Sequence, residues 1–147
     1  MNDLTKLEKF AQHYAKAWCS QDPKKVAAFF AENGLISINN GPPAAGRAAI
    51  AKEAQAFMTT FPDMIVTFDK LESRGGATAF HWTLTGTNTG PGGTGKRVCI
   101  SGYELWKIDD AGLIGESSGH FDVAEYERQL KGSDERSVTS DERGTPS

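Results

Sequence analysis

Cysteine is scarce: two in 147 residues, Cys19 and Cys99, far apart and without a CxxC spacing. That argues against a disulfide-stapled scaffold or a thiolate zinc site, and both read as small buried residues in a reducing compartment. Histidine is scarce too, and His13, His81 and His120 have no short metal-ligand spacing, so no metal or other cofactor is expected. An excess of basic charge is missing. Lys and Arg total 16 against 19 Asp and Glu, a formal charge of -3, which gives no reason to expect nucleic acid or an anionic membrane as partner. No apolar run is long enough to span a bilayer, and the opening Met1-Asn2-Asp3-Leu4-Thr5-Lys6 lacks the apolar stretch of a signal peptide. The expectation is one cytoplasmic domain.

What is present is ordinary for a globular chain: 38% hydrophobic and 24% charged residues, on a length that buries a sizeable core. Leu4, Leu7, Phe10, Ala11, Tyr14 and Trp18 fall on one stripe at helical spacing, predicting an amphipathic helix over residues 3–19. Asp22-Pro23 restarts a helix, with Val26, Phe29 and Phe30 inward and Gly34 as its C-cap. Residues 35–39 then read as a short strand, broken by Gly41-Pro42-Pro43. Gly46 leads into a third helix with Ile50, Ala54, Phe57 and Met58 inward, ending before Pro62. From there β-branched and aromatic alternation predicts strands over 64–71, 77–87, 97–108 and 113–121, followed by a short helix over 123–130. The architecture expected is α+β: three N-terminal helices packed on a curved, mostly antiparallel sheet.

Beyond Gly132 the composition turns polar, and Ser133-Asp134-Glu135-Arg136 recurs as Ser140-Asp141-Glu142-Arg143. Such a segment cannot offset its ordering entropy, so the expected division is a domain over 1–131 and a disordered polar tail over 132–147.

One stretch imitates a nucleotide site. Gly90-Pro91-Gly92-Gly93-Thr94-Gly95-Lys96 has P-loop spacing, but Arg97 stands where the motif wants Ser or Thr. A P-loop also needs a helix after it, so that phosphate meets a helix N-terminus. Here Arg97-Val98-Cys99-Ile100-Ser101 continues as a strand, so the motif is expected to be a glycine-rich hairpin.

The order of elements and the phrases HYAKAWCSQDPKKVAAFFAENG, GPPAAGRAAI, TGTNTGPGGTGKRV, GYELWKIDDAGLI and HFDVAEYERQL resemble the nuclear-transport-factor-2-like cone fold, in its branch of SnoaL-like polyketide cyclases and ketosteroid isomerases. They span roughly residues 5–131. The resemblance implies a sheet wrapped around a deep apolar pocket, usually in a homodimer, but one fold hosts many chemistries.

Within that frame Glu104 is the most informative residue. Its strand alternates Val98, Ile100, Gly102, Glu104, Trp106 and Ile108 on one face, so this carboxyl sits in the more apolar set. There it either loses hydration and rises in pKa, or meets an Arg or Lys, or lies at a wet edge. Tyr14, on the apolar stripe of the first helix, is either its companion in polarising a substrate carbonyl or a core tyrosine bonded to a carbonyl. The companion role is implied by resemblance to the isomerases, whose tyrosine and protonated acid match Tyr14 and Glu104; the isomerase pair is a standard example of such tuning. His120 and Asp122 share a strand face and could form an acid–base pair, although Asp122 better suits the N-cap of the final helix, with Glu125 three residues on. Trp18, Asn39, Phe57 and Trp106 complete the expected ligand-binding set. His81 alternates out of phase with Phe80 and Trp82 and is expected on the outer, interfacial face. Gly115, Ser117 and Gly119 alternate on the last strand and either leave room for a ligand or relieve crowding.

The departures limit what the resemblance carries. The isomerase aspartate falls near Ile38-Asn39-Asn40, the cyclase acid falls on Gly119, and the cyclase histidine falls on Glu104, so neither mechanism transfers intact. The expected function is cofactor-independent proton transfer, isomerase- or cyclase-like, on an apolar small molecule bearing a carbonyl. A non-catalytic ligand-binding or dimerisation module is the alternative.

Overall fold

The computed structural model describes residues 3–131; the disorder expected for 132–147 falls outside them. The first helix, α1 (Asp3–Cys19), buries Ala11, Tyr14, Ala15, Ala17 and Trp18, as its stripe requires. Asp22 caps α2 (Pro23–Ala27), accepting from the Lys24 N–H at 3.0 Å, and Pro23 takes the first turn.

Here the sequence expectation needs correcting. The second helix ends at Ala27 rather than running to Gly34, because Phe30 already begins a strand, β1 (Phe30–Ile38). Gly34 is no C-cap. It lies in a bulged part of β1, where an added Cβ would stand 3.0 Å from the carbonyl oxygens of Ala31 and Ile114. The apolar residues Phe29 and Phe30 suit helix or strand equally, and pairing with the last strand decides for the strand.

A two-residue strand, β2 (Ala44–Ala45), precedes α3 (Arg47–Thr60), which buries Ile50, Ala54 and Met58. Four long strands follow: β3 (Ile65–Arg74), β4 (Ala77–Thr87), β5 (Arg97–Ile108) and β6 (Ile114–Phe121). The chain of described residues closes with α4 (Val123–Lys131). The six strands form one curved, unclosed sheet in the order β2-β1-β6-β5-β4-β3, antiparallel throughout except that β1 runs parallel to β6. The helices pack against it in the α+β layout expected.

The core lies between α1, α3 and the inner face of the sheet. Phe80 stacks on Trp106 at 4.8 Å and on Phe68 at 5.8 Å, and the Tyr14 ring meets Phe80 and Trp106 edge-on, each at 5.3 Å. On β5 the burial alternates as its pattern demands, with Val98, Ile100, Glu104 and Trp106 buried and Arg97, Cys99, Ser101 and Lys107 exposed. Cys99 therefore differs from the expectation of a buried residue; only Cys19 is partly buried, its sulfur accepting from the Val66 N–H.

The glycine-rich stretch is a hairpin loop between β4 and β5. Its own N–H groups close it: Asn88 N–H donates to Lys96 O and Gly95 N–H to Asn88 O, both at 2.8 Å, and Gly93 N–H to Gly90 O at 2.9 Å. Gly90 lies so close to the end of α3 that a Cβ there would come within 2.0 Å of the Thr59 carbonyl oxygen. These N–H groups are occupied within the fold, and a strand follows them.

Candidate functional site

Glu104 stands on β5, an interior strand, opposite Phe80 of β4 and Gly119 of β6. Being interior, its backbone is paired on both sides, and the inward parity of β5 aims its side chain under α1. It is 7% exposed, and no ion pair among the described residues includes it. Both simpler explanations of this carboxyl, a wet edge or a basic partner, are thereby removed.

Three donors hold it instead. The Ser117 hydroxyl donates to Glu104 Oε1 at 2.8 Å, the Trp106 indole N–H at 2.9 Å and the Tyr14 hydroxyl at 3.0 Å. Oε2 receives only the longer arm of the same Tyr14 hydroxyl, at 3.3 Å. One oxygen is thus saturated, and the other keeps hydrogen-bonding capacity. Burial pushes the Glu104 carboxyl above its ordinary value, and the bonds from Trp106, Ser117 and Tyr14 oppose that rise in part. Burial also raises the Tyr14 phenol well above its ordinary value, with the Glu104 charge adding to the effect.

Glu104 lines a partly open cavity of about 60 Å³ between the inner face of the sheet, α1 and α3. Trp18, Phe57, Phe80, Trp82, Ile100 and Gly119 form much of its wall, and Glu104 is the one ionisable residue in it. A Cβ on Gly119 would stand 3.7 Å from Glu104 Cγ, so this glycine leaves open the ground beside the carboxyl.

The expected site residues separate into three groups. Glu104, Trp18 and Phe57 meet at the cavity. Tyr14 and Trp106 are not in the cavity wall; both lie fully buried behind Glu104 and bond to it. The remainder lies elsewhere. Asn39 ties β1 to β6, its amide oxygen accepting from the Phe121 N–H at 2.9 Å and its own N–H donating to Gly119 O. Asp122 caps α4, its side chain accepting from the Glu125 N–H at 3.0 Å. His120 packs its ring 5.1 Å from that of Tyr103, one residue out of phase with Gly119 and so on the opposite face of the sheet from Glu104. His81 shares that outer face, bonded to Glu72 at 2.6 Å.

Sequence reasoning missed two residues. Ser117 reads as a small inward residue, and only the β5–β6 register reveals it as a donor to Glu104. Trp82 reads as core, yet it forms cavity wall. The alternation of Gly115 with Ser117 and Gly119 also breaks. Ile108 pairs with Ile114 and Lys107 with Glu116, which leaves Gly115 in a bulge and makes Ile114 the inward residue. No group of three or more His, Cys, Asp or Glu side chains among the described residues is placed to hold a metal ion. No helix among them is long and apolar enough to cross a membrane.

Solved structures share this fold. A protein of Jannaschia sp. CCS1 assigned as a SnoaL-like polyketide cyclase superposes with a TM-score of 0.76 at 16% identity, over 91% of this chain and 98% of that one. A Xanthomonas campestris protein assigned as a polyketide cyclase gives 0.75 at 20% identity, over 88% and 99%. SalBIII, an epoxide hydrolase/cyclase-like enzyme with a role in pyran ring formation in the polyether salinomycin, gives 0.71 at 19% identity, over 85% and 97%. Identities this low carry the fold alone. Among curated proteins none matches the chain. The family model for SnoaL-like polyketide cyclase matches residues 8–130, nearly the whole described fold, and the chain therefore belongs to that family.

Proposed function

We propose that this protein binds an apolar small molecule carrying a carbonyl or similar oxygen, and that Glu104 transfers a proton to or from it in an isomerase- or cyclase-like step. The observation that carries this is the state of Glu104: a buried carboxyl in an apolar cavity wall, without a cation, with Oε1 taken by three donors and Oε2 by one longer bond from Tyr14. A carboxyl raised in pKa by burial holds its proton to higher pH than a solvated one and is suited to exchange it with a bound ligand, and side chains alone supply that chemistry. Protonated on Oε2, Glu104 donates to a ligand oxygen that gains charge; ionised, it accepts a proton from carbon or hydroxyl. Tyr14, Trp106 and Ser117 then act through Glu104, by holding it.

The reading differs in one respect from the isomerase-like pairing. Tyr14 spends its hydroxyl on Glu104, so the substrate oxygen meets one donor from this pair rather than two. SalBIII shows that the fold supports ring formation in another protein. A second reading, a non-catalytic ligand-binding module, is favoured by a specific observation: no second ionisable group shares the cavity wall with Glu104. A second copy of the chain is proposed as partner on the outer face, where Tyr103, His81 and His120 present partly exposed rings; light scattering on the purified protein reads its mass directly.

The test is a thermal-shift screen of steroids, polyketide-like aromatics and terpenoids, followed by turnover assays on the hits with Glu104→Gln. The catalytic reading expects Glu104→Gln to fold, to keep binding, and to lose roughly 10²–10⁴-fold in turnover. Equal turnover in the variant defeats it, and binding without turnover in either protein selects the non-catalytic module.

A further inference from the structure

The basic charge of this chain is unevenly spread. Between residues 6 and 25, Lys6, Lys9, Lys16, Lys24 and Lys25 stand against Glu8 and Asp22 alone, on a chain of formal charge -3. Lys6, Lys9, His13 and Lys16 follow one another on α1 at helical spacing and fall within about 80° of its circumference, so they form one stripe. All four are exposed. Glu8 lies off the stripe, about 120° from its centre. Asp22 is committed to the cap of α2. Among the described residues, no ion pair or side-chain hydrogen bond takes up His13 or any of the five lysines.

The C-terminal end of the stripe borders an open groove of about 380 Å³ between α1 and α2. His13, Lys16 and Lys25 supply its charge, and Ala17, Ala28 and Phe29 its apolar surface. Ser20 lines it too, but its hydroxyl already donates to the Ala17 carbonyl at 2.6 Å. The groove shares no lining residue with the Glu104 cavity. Lys6 and Lys9 lie outside it and carry the stripe on along α1, about 15 Å from Lys6 to Lys16. A small anion needs only the cluster at the groove. A stripe this long fits a ligand whose own charges recur along one face, with apolar groups beside them.

We infer that the outer face of α1, with the groove between α1 and α2, docks an acidic amphipathic segment of a partner protein. Apolar side chains of that segment enter the groove against Ala28 and Phe29, and its carboxylates run along Lys6, Lys9, His13 and Lys16. This is recognition of a helix in a groove, with charge setting the register and the apolar floor supplying contact. Nucleic acid fits the same surface less well. A duplex brings phosphates to the stripe and nothing apolar to the floor, and a chain of negative net charge repels a long polyanion.

The probe is a synthetic helical peptide of about 15 residues, with glutamates on one face and leucines on the adjoining one. Two control peptides replace every glutamate by glutamine or every leucine by serine. Titration of the full chain, followed by ¹H–¹⁵N spectra, gives both the affinity and the place of binding. The expected result is binding of the acidic amphipathic peptide with shifts confined to α1 and α2, and weaker binding of both controls. Raising salt from about 20 mM to about 150 mM should weaken it, since the charges involved are exposed. Lys6→Glu with Lys9→Glu, and separately Lys16→Glu with Lys25→Glu, should each cost about ten-fold in affinity. These lysines are exposed, and melting temperatures confirm that the variants fold. Shifts on the sheet instead of α1 and α2 overturn the inference, as does the absence of any shift at millimolar peptide. Loss of binding in Lys16→Glu with Lys25→Glu alone also overturns it, in favour of a small-anion site at the groove. A short DNA duplex that shifts the same amides as strongly as the peptide overturns it in favour of nucleic acid.

Discussion

The Tyr14 hydroxyl lies 3.0 Å from Glu104 Oε1, across 90 positions of sequence and between a helix and the sheet beneath it. Both residues are buried, and the phenol donates to the carboxyl rather than to the cavity. Burial raises the Glu104 carboxyl, and this bond is one of three that oppose the rise.

Tyr14→Phe removes that bond and keeps the aromatic packing, since the ring contacts with Phe80, Trp106 and Phe29 do not involve the oxygen. The expected loss of stability is about 1.5–3 kcal/mol, the range for a hydrogen bond to a group that carries charge. The bond lowers the Glu104 pKa, so the variant should titrate Glu104 at a still higher pH. Carbon-detected NMR of the Glu104 carboxyl reads this directly, and an unchanged midpoint would show that Tyr14 only fills space.

Glu104 should also leave a signature in the pH dependence of stability. Its folded pKa is raised above the ordinary 4.5, so between those two values the folded protein holds a proton that the unfolded chain has released. Its contribution is then fully present below 4.5 and is lost as pH rises through the raised value. Urea unfolding of the protein and of Glu104→Gln, from about pH 4 to about pH 8, should show the difference in stability moving against the unaltered protein as pH rises. A constant difference would mean that Glu104 does not titrate in that window.

Two glycines of the inner face should respond to different degrees to the same change. An added Cβ on Gly102 would stand 2.3 Å from His120 O and 2.6 Å from Trp82 Cζ2, so Gly102→Ala should cost about 1–3 kcal/mol or more. On Gly119 the nearest atoms would be 3.6 and 3.7 Å away, which is ordinary contact, so Gly119→Ala should cost less than about 1.5 kcal/mol. That variant narrows the space beside Glu104 and should weaken ligand binding while folding normally. Melting temperatures rank the two.

The last helix is held to the sheet by polar bonds near its end. Gln129 accepts from the Cys99 N–H at 2.6 Å and donates to the Cys99 carbonyl at 3.0 Å, and Tyr126 and Leu130 add partly buried contacts. Glu125 orders Gln129 and Arg128, and their hydrogen bonds hold its carboxyl down at about 2. Because that value is depressed, the contribution is present above 4.5 and is lost as pH falls toward 2. Hydrogen exchange should show α4 amides opening ahead of β5 on acidification, and Gln129→Ala should do the same at neutral pH. Simultaneous exchange of α4 and β5 would count against this.

Much of the fold is legible in local pattern. Helical spacing from Leu7 to Trp18 gives α1, period-two alternation from Val98 to Trp106 gives β5, and the strand after Lys96 shows that the glycine-rich stretch is a hairpin. The same periodicities place Tyr14 and Glu104 inward, because parity is a local property of helix and strand. Failures occur where local signals tie. Phe29 and Phe30 fit the core side of a helix or of a strand, and pairing of Phe30 with Ile114 resolves the choice. Gly115 continues an alternation until a bulge removes it, and a bulge depends on the partner strand.

By itself, then, the sequence determined which residues face inward and that one of them is an isolated acid in an apolar set. Only the tertiary structure decided what that acid meets. The β5–β6 register brings Ser117 to it, and the seating of α1 brings Tyr14. Strand parity leaves His120 on the far face, and Asp122 caps α4, so neither reaches that acid. Hydrogen-bond partners of a buried carboxyl come from strands and helices remote in sequence. Their identity depends on register and packing, which no local periodicity encodes.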